Sequence, residues 1–257
     1  MNKFITIIAS LLIAFTFTKT VLADGHQVYG PYPITLKGYD GDATNSVKYT
    51  GQMARHALHD SLKALVKSGD VAKMMAYYNG EDGLEIIAPA SKGDFVIKQT
   101  MISEIGSGNL SGKMYKGAVP GWGNLTGPEA IEHMMTKAGE VEGGFDPNTG
   151  MDYTQLISKF AMGAVFYNQA VNSYLGSKME VGQKPNNKPY KDGAYYTGKE
   201  HSWDEAFGYW GSAAHALTLS AEQNYNVAKK KDMASADFNG DGVVDVYSEY
   251  TYAHAYY

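Results

Sequence analysis

The sequence contains no cysteine in its 257 residues. A chain without cysteine has no disulfide framework, no thiolate metal site, no cysteine nucleophile and no attachment site for a lipoprotein anchor. Any metal site must therefore use other ligands.

Long apolar runs are also scarce, since there is only one and it lies at the start of the chain. Lys3 precedes the run Ile5–Phe17, and Val21-Leu22-Ala23 forms a small-x-small cleavage site before Asp24. This pattern is typical of a secretory signal peptide and is too short for a membrane span. We expect residues 1–23 to be removed and the mature chain to be periplasmic or secreted. The alternative is a retained N-terminal anchor.

Basic stretches are limited to Lys229–Lys231 in a chain whose formal net charge is −5. Such a triplet is typical of a solvated helix end, so we expect no nucleic-acid partner. The sequence also lacks a phosphate-binding glycine loop, a Gly-x-Ser-x-Gly elbow and a His-Glu-x-x-His motif. The last absence argues against a zincin-type peptidase.

Strand-like alternation of apolar and polar residues does not occur over any useful length. Apolar residues recur instead at three- and four-residue spacing, which predicts an all-α fold of the helical-bundle type with long irregular loops. We expect an extended arm over 24–45 and one helical domain over 46–257. The predicted helices are 50–66, 70–78, 94–105, one starting at the capping box Thr126-Gly127-Pro128-Glu129, 152–175, 202–223 and a last one beginning near Tyr250.

The stretch Asp237–Glu249 is the most specific chemical signal. Oxygen donors recur at alternate positions, and Gly242 lies where calcium loops turn sharply; the predicted ligands are Asp237, Asn239, Asp241, the carbonyl of Val243, Asp245 and Glu249. Calcium takes roughly six to eight oxygen ligands, which such a loop supplies. The EF-hand pattern ends on a Glu at position twelve, which here is Ser248. Either Glu249 closes a longer loop or the ligand set is incomplete, and the alternative is an Asx/Gly-rich turn without metal.

The approach to this loop differs from an EF-hand. Residues Lys231–Ala236 lack the apolar spacing of an incoming helix. We therefore interpret the segment as a calcium loop attached to a bundle, without a switch of the calmodulin kind.

A second metal site is predicted at His201. A histidine followed by acids three and four residues on presents them on one helix face, so His201, Asp204 and Glu205 together suit iron or zinc. The structural alternative is that Ser202 and Glu205 form a capping box while Asp204 interacts with the helix dipole. His56 and His59 form another candidate pair, which surface histidines on an amphipathic helix explain equally well.

Several stretches resemble an uncharacterised family of exported bacterial proteins that carries a domain of unknown function and is distantly similar to the imelysins. The motifs are Tyr49–Arg55, Phe160–Ala164 with Asn168–Ala170, Glu200–Tyr209, Asn239–Gly242 and Ser248–Tyr250. The resemblance covers nearly all of the mature chain, and Glu200–Tyr209 is its most specific part.

This resemblance implies one helical bundle or two packed together, a calcium ligand at Glu249, and a fold that continues beyond Tyr257. Imelysins carry a Gly-x-His-x-x-Glu motif linked to metal and iron uptake. Here His201-x-x-Asp204 follows Gly198 at a spacing one residue too long, so only His201 and Asp204 carry over as ligands.

Three functions follow from these residues. The first is an exported, calcium-binding and non-enzymatic protein that captures a metal ion or an unidentified ligand. The second is a metal-dependent hydrolase of peptidase type centred on His201. The third is a carbohydrate-binding protein, suggested by the 20 tyrosines.

Overall fold

Seven α-helices form the framework of the described residues in this computed structural model, which covers 32–87, 95–252 and 255. They are α1 (Thr50–Leu65), α2 (Val71–Asn79), α3 (Gly127–Gly139), α4 (Tyr153–Ala161), α5 (Gly198–Trp210), α6 (Ala221–Ala228) and α7 (Met233–Ala236). Two short strands of two residues each, β1 (Phe145–Asp146) and β2 (Met151–Asp152), pair in antiparallel orientation. The fold is all-α, as predicted. The predicted signal peptide and the first part of the arm lie outside the described residues.

Short 3-10 turns join several of these helices. They are Val66–Ser68, Ile102–Glu104, Ser111–Lys113, Glu142–Gly144, Ser177–Met179 and Ala216–Thr218. No helix in the described part of the chain is long and apolar enough to cross a membrane.

The start of the bundle follows the sequence pattern closely. Met53, Leu58 and Leu62 of α1 are fully buried, and burial of each such side chain contributes about 1.5–3 kcal/mol. Gly69 ends the segment with a φ of +68°, a conformation that costs glycine little. The carboxylate of Asp70 then accepts the N–H of Lys73 at 2.9 Å and begins α2, as predicted.

The long central helix is present, but its second half is wound differently from expectation. After α4 the chain continues as a π-helix over Met162–Tyr174. The N–H of Tyr115 donates to the carbonyl of Ala164 at 2.7 Å, so this carbonyl is bound from outside the helix. An external donor competing with the helix ladder favours such local rewinding. The ring of Tyr209 in α5 packs against Phe166 and Tyr174 of this segment.

The predicted helix over 94–105 is wrong. Residues 95–101 are extended, and only Ile102–Glu104 forms a 3-10 turn. Val244 donates its N–H to Val96 at 2.7 Å and accepts from Lys98 at 3.0 Å. This distant pairing satisfies backbone groups that a helix would otherwise use, so tertiary context overrides the local periodicity.

The predicted helix over 202–223 is wrong at both ends. α5 begins earlier, because Thr197 and Glu200 form its capping box and the N–H of Thr197 donates to Glu200 at 2.7 Å. Ser202 is therefore inside the helix and donates to Gly198, so the predicted capping box at Ser202 and Glu205 does not exist. Gly211 ends α5 with a φ of +81°.

The last predicted helix is absent from the described residues, where Thr251 and Tyr252 are not helical. The N–H of Tyr252 donates to the carbonyl of Gly211 at 2.7 Å. A Cβ at position 211 would lie 2.8 Å from the ring of His56, so glycine is required where these segments meet. One hydrophobic core joins residues from Val47 to Tyr252.

Candidate functional site

The loop predicted to bind calcium is organised by the carboxylate of Asp237. Its two oxygens accept the N–H groups of Gly240 at 2.8 Å, Asp241 at 3.0 Å and Gly242 at 2.8 Å. Gly240 and Gly242 have φ values of +75° and +86°, so the chain can turn tightly around the carboxylate. The first acid of the loop therefore holds the turn that would surround an ion.

The middle of the loop is held by its own side chains. Asn239 accepts the N–H of Asp241 at 2.8 Å, and its amide donates to the Asp241 carboxylate at 3.2 Å. Asp241 in turn accepts the N–H of Val243 at 3.0 Å. Asn239 and Asp241 are thus adjacent, as the alternating pattern predicts.

Glu249 closes the loop from its far end. Its carboxylate accepts the N–H of Asn239 at 3.2 Å through one oxygen and that of Asp245 at 2.8 Å through the other. Burial raises the pKa of the Glu249 carboxyl, and the charges of Asp245 and Asp237 add to the shift. A cation bound there would remove both penalties. Glu249, one residue after the EF-hand position, is the acid that spans the loop.

Asp245 has partners that the local motif does not reveal. Gln99 donates to its carboxylate at 2.8 Å, and the ammonium of Lys98 lies 3.4 Å away. Both partners come from the extended segment that pairs with Val244, so no local pattern could have identified them. Lys98 supplies a positive charge beside the acids of the loop.

In the part of the chain that the structure describes, no group of three or more His, Cys, Asp or Glu side chains is arranged to hold a metal ion. The carboxylates of the loop accept backbone N–H groups instead. Each carboxylate oxygen has two lone pairs, so an oxygen that accepts one hydrogen bond, as Asp237 Oδ2 does from Gly242, has room for a ligand bond, whereas Asp237 Oδ1 already accepts two. The side chains of the loop offer oxygen donors, the ligand type that calcium takes.

The entry to the loop is a single helical turn. α7 spans only Met233–Ala236, with the Asp232 carboxylate accepting the N–H of Ser235 at 3.0 Å. His215 Nε2 contacts the carbonyl of Ser235 at 2.8 Å, and burial lowers the pKa of this imidazole. The loop is therefore fixed to the bundle at its entry by a buried histidine.

At the second predicted site, His201 lies between two acids of α5. Its Nδ1 is 3.2 Å from Asp204 Oδ1 and its Nε2 is 3.5 Å from Glu205 Oε2. The ring of Tyr196 stacks on the imidazole with centroids 4.5 Å apart. The side chain of Gln52 donates to Glu205 at 2.7 Å. The three predicted residues are thus brought together.

Asp204 is the most perturbed acid of this group. It is only 5% exposed, and this burial raises the pKa of its carboxyl to about 7. The contact with His201 and the backbone N–H of Lys48, which donates to Asp204, both oppose the shift. Perturbed acids of this kind cluster at functional sites.

The pair His56 and His59 is buried in the core, so the interpretation as surface histidines is wrong. His56 Nε2 contacts the carbonyl of Gly208 at 3.0 Å, and His59 Nε2 contacts that of Ser158 at 3.1 Å. Their rings also pack on Phe166, which is stacked 4.2 Å from His56. Both act as polar packing residues that link α1 to its neighbours.

A cavity of about 320 Å³ lies beside α5, and sequence reasoning missed it. Residues 199, 200, 203, 204 and 207 of α5 form one wall, and the segment from Tyr32 to Tyr49 forms the opposite one. These segments are far apart in the chain, so only the fold brings them together.

Comparison with known families places this geometry in context. Residues 123–248 match the family model described as a domain of unknown function, DUF4856. Over these residues the chain is similar to that family. The matched region contains α3 to α7 and the predicted calcium loop as far as Ser248. The helices α1 and α2 and the N-terminal wall of the cavity precede it. Comparison with curated proteins and with solved structures found no match.

Proposed function

We propose that this protein is an exported, calcium-binding helical protein that captures a ligand without catalysing a reaction. The proposal depends chiefly on one observation, the loop in which Asp237 holds the turn over 240–242 and Glu249 closes the far side. The acids lie within one short segment of the chain and offer oxygen donors, the ligands that calcium takes.

Calcium would act mainly on the order of the C-terminal segment. Val244, which is fully buried, continues the loop into the pairing with Val96 and Lys98. An ion held by Asp237, Asp241 and Glu249 would connect both ends of the loop to this pairing. Because such an ion binds the folded form alone, it adds stability by mass action.

The deciding experiment measures the melting temperature and elemental content of the mature protein. The protein is measured as purified, after treatment with a chelator, and after addition of calcium, magnesium, iron or zinc. A rise that calcium produces and magnesium does not is expected. A melting temperature that changes neither with the chelator nor with calcium would show that the loop is an Asx/Gly-rich turn that binds no metal.

A metal-dependent hydrolase centred on His201 is the second proposal. The observation that favours it is the separation of 3.5 Å between His201 Nε2 and Glu205 Oε2. Two ligands of a tetrahedral zinc ion, each about 2.1 Å from the metal, lie at a similar separation. Iron or zinc retained after purification and lost in His201→Gln would favour this function.

The carbohydrate-binding alternative depends on exposed tyrosines. Ten tyrosines of the described chain are buried and pack in or beside the core: Tyr49, Tyr77, Tyr78, Tyr153, Tyr174, Tyr196, Tyr209, Tyr247, Tyr250 and Tyr252. Packing thus accounts for much of the tyrosine content, which gives this proposal the least support of the three.

A further inference from the structure

The cavity beside α5 has the size and chemistry of a small-molecule site. Its volume of about 320 Å³ lies within the range of ligand pockets, roughly 300–1,000 Å³. Its walls combine aromatic rings, including Trp203, Phe207 and Tyr49, with the carboxylates of Glu200 and Asp204. An apolar enclosure with a few convergent polar groups is the usual form of a binding site.

The charges in the cavity are predominantly negative. Asp204 and Glu200 are separated by one helical turn of α5 and both line the space. Among the described residues that line the cavity, the one cation is Lys199, whose ammonium donates to the carbonyls of Lys178 at 3.1 Å and Glu180 at 2.7 Å. The lysine is thus held by a neighbouring turn, and a ligand meets two acids with little opposing charge.

Asp204 provides a second and independent indication of a ligand. Its Oδ2 accepts the backbone N–H of Lys48, whereas its buried Oδ1 has the His201 imidazole at 3.2 Å without a well-aligned hydrogen bond. The charge of this carboxylate is thus only partly offset by its neighbours, and a cation in the adjoining cavity would be favoured beside it.

The aromatic lining is suited to a cation. Trp203 is 53% exposed and Tyr32 is 40% exposed, although both line the cavity. Aromatic rings attract ammonium groups through their negative faces, and tryptophan does so most strongly. A ligand that enters here would cover apolar surface that now faces solvent.

We propose that this cavity binds a small organic cation, an ammonium group on an apolar body, with the ammonium beside Asp204 and Glu200 and the body against Trp203. The inference extends the ligand-capture part of the proposed function by naming the class of ligand. It does not depend on a metal at His201.

The test uses three probes that share a phenyl ring and a short chain but differ in charge. Phenethylammonium is the cation, 2-phenylethanol is neutral, and 3-phenylpropanoate is the anion. Each is measured by equilibrium dialysis against the mature full-length protein at pH 8 with excess calcium. The cation is expected to bind at least about tenfold more tightly than the other two, because it alone brings a positive charge to the two acids.

Variants then locate the binding. Asp204→Asn and Glu200→Gln keep the shape of each side chain and remove its charge. Each is expected to weaken binding of the cation by about tenfold or more. Glu129→Gln is the matched control. Glu129 has the same capping role at the start of α3 that Glu200 has in α5, yet it lies outside the cavity.

Equal binding of the three probes, or no binding of the cation, would overturn the proposal. So would cation binding that is unchanged in both Asp204→Asn and Glu200→Gln. If circular dichroism shows that Asp204→Asn is unfolded, the test is whether Glu200→Gln binds phenethylammonium more weakly than Glu129→Gln does. A calcium-dependent rise in melting temperature without cation binding would refute this inference alone, whereas cation binding without a calcium response would refute only the calcium site.

Discussion

The ring of Tyr49 packs against the ring of Tyr247, with their centroids 5.6 Å apart. Tyr247 lies within the predicted calcium loop, two residues before Glu249, and Tyr49 lines the cavity beside α5. Tyr49 also packs edge-on against Phe207, another residue of the cavity wall. This pair of rings is therefore a direct physical contact between the two candidate sites.

Truncating that contact should affect both stability and ligand binding. Tyr247→Ala removes a ring that is only 6% exposed, and we expect a loss of about 3–5 kcal/mol in the free energy of unfolding. Because Tyr49 then loses its support, binding of phenethylammonium should also weaken. Urea denaturation and equilibrium dialysis measure the two effects.

Two further variants serve as controls for this contact. Tyr247→Phe keeps the ring and should restore most of the loss, while Tyr225→Ala truncates a ring that is 47% exposed and should have little effect. A loss of stability in Tyr247→Ala with unchanged probe binding would show that the two sites are not linked through these rings.

Removing one loop acid should abolish the response to calcium. Asp241→Asn keeps the size of an exposed side chain that accepts the N–H of Val243 and removes its charge. At calcium a hundredfold above its Kd, the wild type should gain about 2.7 kcal/mol, a rise of roughly 5–10 °C in melting temperature. The variant should show almost none of this rise by differential scanning calorimetry. Asp82→Asn, at an exposed acid outside the loop, should respond like the wild type.

The pair Glu249 and Ser248 distinguishes the two possible ends of the loop. Glu249→Gln should lose the calcium response, whereas Ser248→Ala should keep it. Without calcium, Glu249→Gln should be at least as stable as the wild type near neutral pH, because burial and neighbouring acids disfavour the charge of Glu249. If only Ser248→Ala lost the calcium response, the residue that closes the loop would be Ser248, at the EF-hand position.

Calcium affinity should also fall as the pH is lowered towards the raised pKa of Glu249, because protons then compete with the ion. Isothermal titration calorimetry at several pH values measures this dependence in the wild type. In Ser248→Ala the same dependence is expected, since the titrating carboxyl is still present.

Asp204 should make stability depend on pH in a defined direction. Its pKa rises from an ordinary 3.8 to about 7 on folding, so the folded state keeps a proton that the unfolded state releases. Its protonation therefore favours folding at low pH, and this contribution is lost as the pH rises from about 4 to 7. Between pH 5 and pH 8 the free energy of unfolding of the wild type should therefore fall by about 2 kcal/mol relative to that of Asp204→Asn.

Urea denaturation at pH 5, 6, 7 and 8 measures this difference. Asp192→Asn, at an exposed acid, should run parallel to the wild type across the range. If Asp204→Asn also runs parallel to the wild type, the carboxyl does not keep its proton on folding.

Local chemistry was sufficient where neighbouring residues decide the conformation. The periodicity from Met53 to Leu62 predicted α1, and the Thr126–Glu129 capping box predicted the start of α3. The alternating donors from Asp237 to Asp241 predicted a tight loop, which is observed, whereas its calcium ion stays a prediction. In each case the interacting groups lie within a few residues, so spacing in the sequence reflects spacing in the structure.

Distant pairing explains the errors. The stretch over 95–101 has a helical period, yet it is extended because it pairs with Val244. His56 and His59 read as surface residues, yet the bundle buries them against the carbonyls of Gly208 and Ser158. Asp245 stays a predicted calcium ligand, and the sequence did not reveal that Gln99 and Lys98 contact its carboxylate. No pattern in a single sequence reports partners that are this far apart in the chain.

The residues alone predicted the all-α fold and a tight loop rich in oxygen donors, because helix period, capping and turn chemistry are local properties. Tertiary structure alone placed Glu249 across the loop, buried Asp204 beside His201, and enclosed the cavity between α5 and the segment from Tyr32 to Tyr49. Burial and charge at these sites are produced by packing between segments that are remote in sequence. The candidate ligand site therefore exists only in the folded chain.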